Sequence, residues 1–267
     1  MTAATLVKSL EEGMKQKGAV EAKHEAFAKL FSRLFRSQFI AFVGNVVMAF
    51  PMALLLIWFI DLSFDYNIAE VKAPKLLKDL SPIHSAAIFH ASIAGVFLFV
   101  SGLIAGYQSN KFKFTNFYYR VAEHPKLNRM IGRTKSESLA VFIEKKGPGI
   151  LSNFWFGIFL GSTASIGIFL GLNLDIRHIT FAAGNFAMGL YGTGFEVAWG
   201  YFMLYTIGIV LIGFANFIVS FSLALFLGMR SRGIPFSELF PIGKSVWYYF
   251  KKKPVHFFLP PKDEVVI

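Results

Sequence analysis

Charged residues are absent from four long apolar runs, residues 38–60, 84–107, 151–172 and 199–227, each about 22–29 residues long. A helix rises about 1.5 Å per residue, so each run covers a hydrocarbon core about 30 Å thick. The pattern predicts an all-α integral membrane protein, a bundle of four transmembrane helices. A fifth apolar patch, residues 179–191, is shorter and rich in small groups: Ala182, Ala183, Gly184, Ala187 and Gly189. Runs of about 10–14 apolar residues dip into a bilayer more often than they cross it. Residues 176–192 are therefore predicted to form a re-entrant or half-span segment.

Ahead of the first run the period changes. Phe27, Leu30, Phe31, Leu34 and Phe35 fall at i, i+3, i+4, i+7 and i+8, while Lys23, Lys29, Arg33 and Arg36 lie mostly off that stripe. This predicts an interfacial amphipathic helix in the headgroup region, closing an arm over residues 1–37. Pro51, with Gly44 and Asn45, predicts a kink in the first span. Gly102–Gly106, Gly157–Gly161 and Gly167–Gly171 are three Gly-x-x-x-Gly spacings, expected to tighten the internal bundle, with self-association into an oligomer as the other use. Residues 136–146 are expected to form a short surface helix within the loop 108–150.

Composition agrees with lipid as solvent: hydrophobic residues are 55% of the chain, mean hydropathy is +0.53 and 32 residues are Phe. The charged N-terminal stretch lacks the apolar core of a secretory signal. With no Cys, disulfides, thiol catalysis and Cys-ligated metal centres are excluded. The net charge of +11 is unevenly placed. Residues 1–37 carry 7 Lys and Arg, 61–83 carry 3, 108–150 carry 9, and 228–267 carry 7. Four crossings with both termini cytosolic place 23 cations inside and 4 outside, in keeping with the positive-inside pattern. A fifth crossing would put the basic aromatic tail, residues 228–267, outside. The implied location is the bacterial inner (cytoplasmic) membrane.

Base and aromatic side chains interleave at Lys111–Phe114, Phe117–Arg120 and Trp247–Lys253. Such segments can bind single-stranded nucleic acid. Beside a membrane they more often mark a belt drawn to anionic lipid headgroups, and that partner is preferred here.

Polar groups at membrane depth are the candidate functional residues, because burying them unpaired is costly. His90, Asp175, Arg177, His178 and Asn185 are the candidates for a polar pocket open to the outer side. His90 is expected about 9 Å into the second span, and Asn185 at the re-entrant tip. Asn45 and Asn216 are expected in the inner half, hydrogen-bonded to each other as intramembrane packing. Asp175 beside Arg177 also suits a salt-bridged turn. His84 and His90 sit about 240° apart around a helix and form no two-His metal face. No metal or other cofactor is implied. The chain has no Gly-x-Ser-x-Gly elbow, Walker loop, dinucleotide fingerprint or His-Glu-x-x-His, so the reading leans away from an enzyme.

Several segments resemble a family of large bacterial membrane proteins catalogued as "site-specific recombinase". They are Ser37-Gln38-Phe39 with Gly44-Asn45, His84–Ala91, Gly95–Tyr107, Asn153-Phe154, Leu174–Ile179 and Phe257–Pro261. Together they cover nearly the whole chain, with Asp-Ile-Arg-His and Phe-Phe-Leu-Pro-Pro the most specific. The resemblance implies longer relatives whose C-terminal membrane half this chain matches, as a split gene, a truncated product or a stand-alone relative, with the family's N-terminal region as a candidate separate partner chain. Its label implies a membrane-anchored factor associated with DNA recombination. Strand exchange, however, needs a Ser or Tyr nucleophile among clustered Arg residues. This chain has only 8 Arg and no His-x-x-Arg. The preferred reading is a non-enzymatic polytopic membrane protein, a transport, channel or membrane-organising component. The DNA-associated factor and an enzyme acting on a lipid-embedded substrate are the alternatives.

Overall fold

The computed structural model describes residues 20–172 and 174–261, with side chains from Glu25 onward. Residues 1–19 of the expected arm, the Lys23 side chain, Asn173 and residues 262–267 lie outside the described residues. Every regular element among the described residues is helical: α1 (Val20–Phe64), α2 (Ala73–Lys78), α3 (Ala87–Phe114), α4 (Phe117–Ala122) and α5 (Pro125–Ile131), then α6 (Arg133–Phe169), α7 (Ile179–Gly192), α8 (Trp199–Ser231) and α9 (Leu239–Lys252). Short 3-10 turns flank α9 at Phe236–Glu238 and Pro254–Phe257. Four helices, α1, α3, α6 and α8, are long and apolar enough to cross a membrane.

The chain divides into two compact units, residues 1–92 with 177–267, and residues 93–176. In the first, α7 packs along α1, with α2 and α8 also against it. Glycines set these approaches. A Cβ on Gly189 would collide with Leu77, one on Gly192 with the Ala69 carbonyl, and one on Gly213 with Phe42 and Ile179. At Gly208 it would strike the Leu80 carbonyl, so the segment after α2 lies directly on α8. The core around these contacts joins Leu77, Leu80, Ile179, Phe186, Ile209 and Ile212.

A second core in the same unit covers the amphipathic stripe. Val20–Phe64 is one 45-residue helix, running from the arm through Pro51 without interruption. Its Phe27 and Leu34 are buried against Leu225 and Met229 of α8, Ile234, and Ile242 of α9. Ala28 lies against Tyr249 and Phe257. The stripe is apolar because protein covers it: the end of α8 and the tail fold back onto it. Arg36 fixes the return, its Nη1 donating to the carbonyls of His256 at 3.0 Å and Leu259 at 3.3 Å. Rings continue the seam, with Phe39 and Phe258 edge to face at 5.0 Å between centroids.

In the second unit, α4 and α5 pack on the first turns of α6. Ser136 and Ala140 of α6 are buried there, and Phe112 stacks on Phe117 at 4.2 Å across a turn whose Asn116 has φ +50°. Arg133 bridges Glu123 at 3.0 Å and Glu137 at 3.1 Å. Residues 136–146 are not a separate short helix. They open a 37-residue helix that continues through Pro148 into the third apolar run, since a lone Pro removes one backbone bond while its neighbours' bonds persist. The expected span 151–172 ends early. Leu172 N–H donates to the Gly167 carbonyl and Gly171 N–H to that of Ile168, with Gly171 at φ +67°. That pair of bonds is a Schellman stop.

Gly167 and Gly171 terminate a helix, and among the described residues a Cβ placed on Gly102, Gly106, Gly157 or Gly161 meets nothing within 4 Å, which leaves self-association as the use of those spacings to be tested. The contact between α3 and α6 instead uses Ser101, which accepts from Ser152 Oγ at 3.4 Å, and the stacked pair Phe97–Phe159 at 5.1 Å.

Candidate functional site

The most polar point of the first unit is the start of α7, and Asn216 organises it. The buried Asn216 amide donates from Nδ2 to the carbonyls of Ala91 at 2.8 Å and Arg177 at 2.9 Å. Its Oδ1 accepts the Ile179 N–H, the first of α7, at 3.2 Å. One side chain of α8 thus ties the second apolar run, the extended segment before α7 and the α7 N-terminus together. The expected Asn45–Asn216 pair is replaced by these three backbone bonds. The helix-start N–H of Ile179, which has no acceptor within α7, and the Arg177 carbonyl in the extended segment before it are a stronger demand on a buried amide than a second amide. Asn45 is half-buried on α1.

Arg177 lies beside this node. Its N–H donates to the His90 carbonyl at 3.4 Å, and its Nη2 pairs with Asp79 at 2.9 Å. The two side chains are 11% and 23% exposed, which makes this a largely buried ion pair. Asp79 lies outside the apolar runs, in the segment between two of them, and its sequence signal is only that of an acid set between Lys78 and Leu80. His90 is buried. Since α3 begins at Ala87, His90 stands in its first turn, about 4.5 Å from the start rather than 9 Å. His178 has an extended backbone (φ −108°, ψ 144°) and caps α7, with its ring edge-on to Phe181 at 6.5 Å. Asp175 belongs to the other unit, where its Oδ1 accepts the Ile176 N–H at 2.7 Å.

α7 runs alongside α1 in the same direction. Ile179 meets the Gly213–Phe42 contact, Gly184 faces Ala53, and Tyr191 Oη donates to Asp61 Oδ2 at 2.7 Å. Asn185, expected at the tip of a re-entrant segment, sits about two turns into α7, half-buried.

The segment between α2 and α3 is itself tightly knit. Ser81 Oγ accepts from the N–H groups of Ile83 and His84, and Ser85 Oγ donates to the carbonyls of Asp79 and Ser81. These bonds hold the Asp79 end of the ion pair. An apolar cleft of about 240 Å³ lies between α1, α7 and α8, lined by Phe42, Phe50, Phe186, Phe202 and Val210, with Thr206 its polar member. Among the described residues no group of His, Asp and Glu is placed to hold a metal ion.

The fold and site define a helical protein with four helices able to cross a membrane and a short fifth helix that starts at a buried polar node. The chain belongs to the family described as Site-specific recombinase, whose model matches residues 1–260. No curated protein and no solved structure matches.

Proposed function

We propose that this is a polytopic inner-membrane protein with four crossings and one re-entrant segment, serving as a non-enzymatic transport or channel component. The observation carrying this reading is the start of α7 at a polar node opposite Phe42 and Gly213, with α7 running from there to the Asp61 end of α1. Half-helices that begin inside a bundle, lined with polar groups, are the recurrent way a membrane protein holds a polar solute at depth. The buried Arg177–Asp79 pair adds ionisable groups beside that terminus, and such groups within a membrane mark solute paths more often than packing. In this reading His90, Arg177 and His178 form its centre, with Asn185 further along α7 as another candidate. Both termini are cytosolic in this reading, supported by the shared core of arm and tail. The bundle proper covers residues 38–227, and the basic loop 108–150 faces the cytosol.

The chain has no Cys, so His178→Cys provides a single reporter. Membrane-impermeant thiosulfonates added from the outside should modify it, the anionic reagent faster than the cationic one, because the α7 N-terminus favours negative charge while Arg177 is balanced by Asp79. No modification by either reagent in native membranes would remove the proposed pathway.

The family match favours a second reading, a membrane-anchored factor associated with DNA recombination. Its test is salt-sensitive binding of duplex DNA by the full-length protein, lost when the lysines of residues 108–150 are neutralised.

A further inference from the structure

The tail helix α9 has two faces, and only one is accounted for by the fold. Ile242 and Tyr249 are buried against α1 and α8. On the other side Phe240, Lys244, Trp247 and Lys251 recur at i, i+4, i+7 and i+11, a single stripe. Phe240 is 82% exposed, Trp247 57%, and Tyr248 at its edge 67%. The lysines are exposed as well, and Lys251 Nζ lies 5.3 Å from the Trp247 ring centroid. Aromatic and cationic groups thus alternate along one helix face that no other element among the described residues covers.

We infer that this stripe docks on the anionic headgroup layer of the same bilayer and is an interaction surface for acidic phospholipid; the inference rests on the reading of α1 and α8 as membrane-crossing helices. Position, continuity and charge support that occupant. Ile242 packs with Leu225 and Met229, which sets α9 level with the last turns of α8, where its apolar run gives way to Arg230. Phe226, exposed on α8, stacks on Phe236 at 4.8 Å, one turn before Phe240, so the exposed apolar surface of α8 passes onto the tail without a polar break. Phe258 and Leu259, hooked back by Arg36, add exposed apolar side chains beside Phe39 on α1. The charge is of one sign: Lys244, Lys251, Lys252 and Lys253 accompany the stripe, and α9 contains no acid. Aromatic rings settle among headgroups, and lysine stems follow the apolar surface while the ammonium reaches phosphate.

The experiment uses the full-length protein with Trp247 as its single tryptophan (Trp58→Phe, Trp155→Phe, Trp199→Phe), reconstituted in phosphatidylcholine vesicles with or without one part in three of phosphatidylglycerol. A matching protein retaining only Trp58 reports the α1 span. Acyl-brominated lipid should quench Trp58 in both membranes, and Trp247 more strongly when phosphatidylglycerol is present. Lys244→Gln with Lys251→Gln should raise acrylamide access to Trp247 at least about 2-fold in the anionic vesicles, since each lysine at such a surface is worth about 1 kcal/mol. Quenching of Trp58 but not Trp247, quenching of Trp247 indifferent to phosphatidylglycerol, or indifference to the double substitution would overturn the docking surface. Failure to quench Trp58 would overturn both it and the membrane-crossing reading beneath it.

Discussion

Asn216 closes the node where three chain segments meet, and its amide has no redundancy. Replacing it with Ala leaves the Ile179 N–H and the carbonyls of Ala91 and Arg177 short of a partner, all within a buried setting. An unmet buried group costs about 1–3 kcal/mol. Asn216→Ala should therefore lower the Tm of the detergent-solubilised protein by several degrees, whereas Asn45→Ala, at a half-buried position on α1, should lower it far less. Equal Tm values for the two variants would show that the amide does not organise the node. At this scale the sequence was informative about residue type and weak about partners. A polar group inside an apolar run announces itself, so His90, Arg177, His178 and Asn216 stood out. Its partners here are mostly backbone groups and the distant Asp79, which carry no side-chain signature in any one segment. That is why Asn216 was matched to Asn45, another amide, instead of to the N–H and carbonyls it satisfies.

Among the elements, the glycines separate spacing from use. Gly-x-x-x-Gly makes close approach available, but a partner must arrive, and beside Gly102, Gly106, Gly157 and Gly161 none does within 4 Å. The approaches occur at Gly189, Gly192, Gly208 and Gly213, two of which lie in the short fifth patch and two in the fourth run. Gly208→Leu should reduce the folded yield in membranes and lower the Tm sharply, because the Leu80 carbonyl on which its side chain would fall is backbone and cannot move aside cheaply. Gly102→Leu should leave both within error. The reverse order in a paired thermal-shift measurement would restore the motif reading. The four long runs were legible because length and absence of charge are local properties. The arm's periodicity reveals that one face is buried without naming what buries it. Phe27 and Leu34 meet residues about 200 positions away in the chain.

For the whole molecule, the account depends on the fifth patch turning back toward the side from which it came. The direction of α7 along α1, its polar start at Ile179 and the joining of arm to tail around Phe27, Arg36, Ile242 and Phe257 all support an even number of crossings. Charge placement alone made the same choice, because a fifth crossing would export a tail with 7 cations. Family membership is established over residues 1–260. The most direct test is single-cysteine labelling in intact cells, on the naturally Cys-free chain, with an impermeant maleimide. Asp65→Cys and Phe195→Cys should label in intact cells, while Ser37→Cys and Lys253→Cys should label only after lysis. Labelling at position 253 in intact cells, with position 37 still protected, would contradict the proposed topology and the site built upon it.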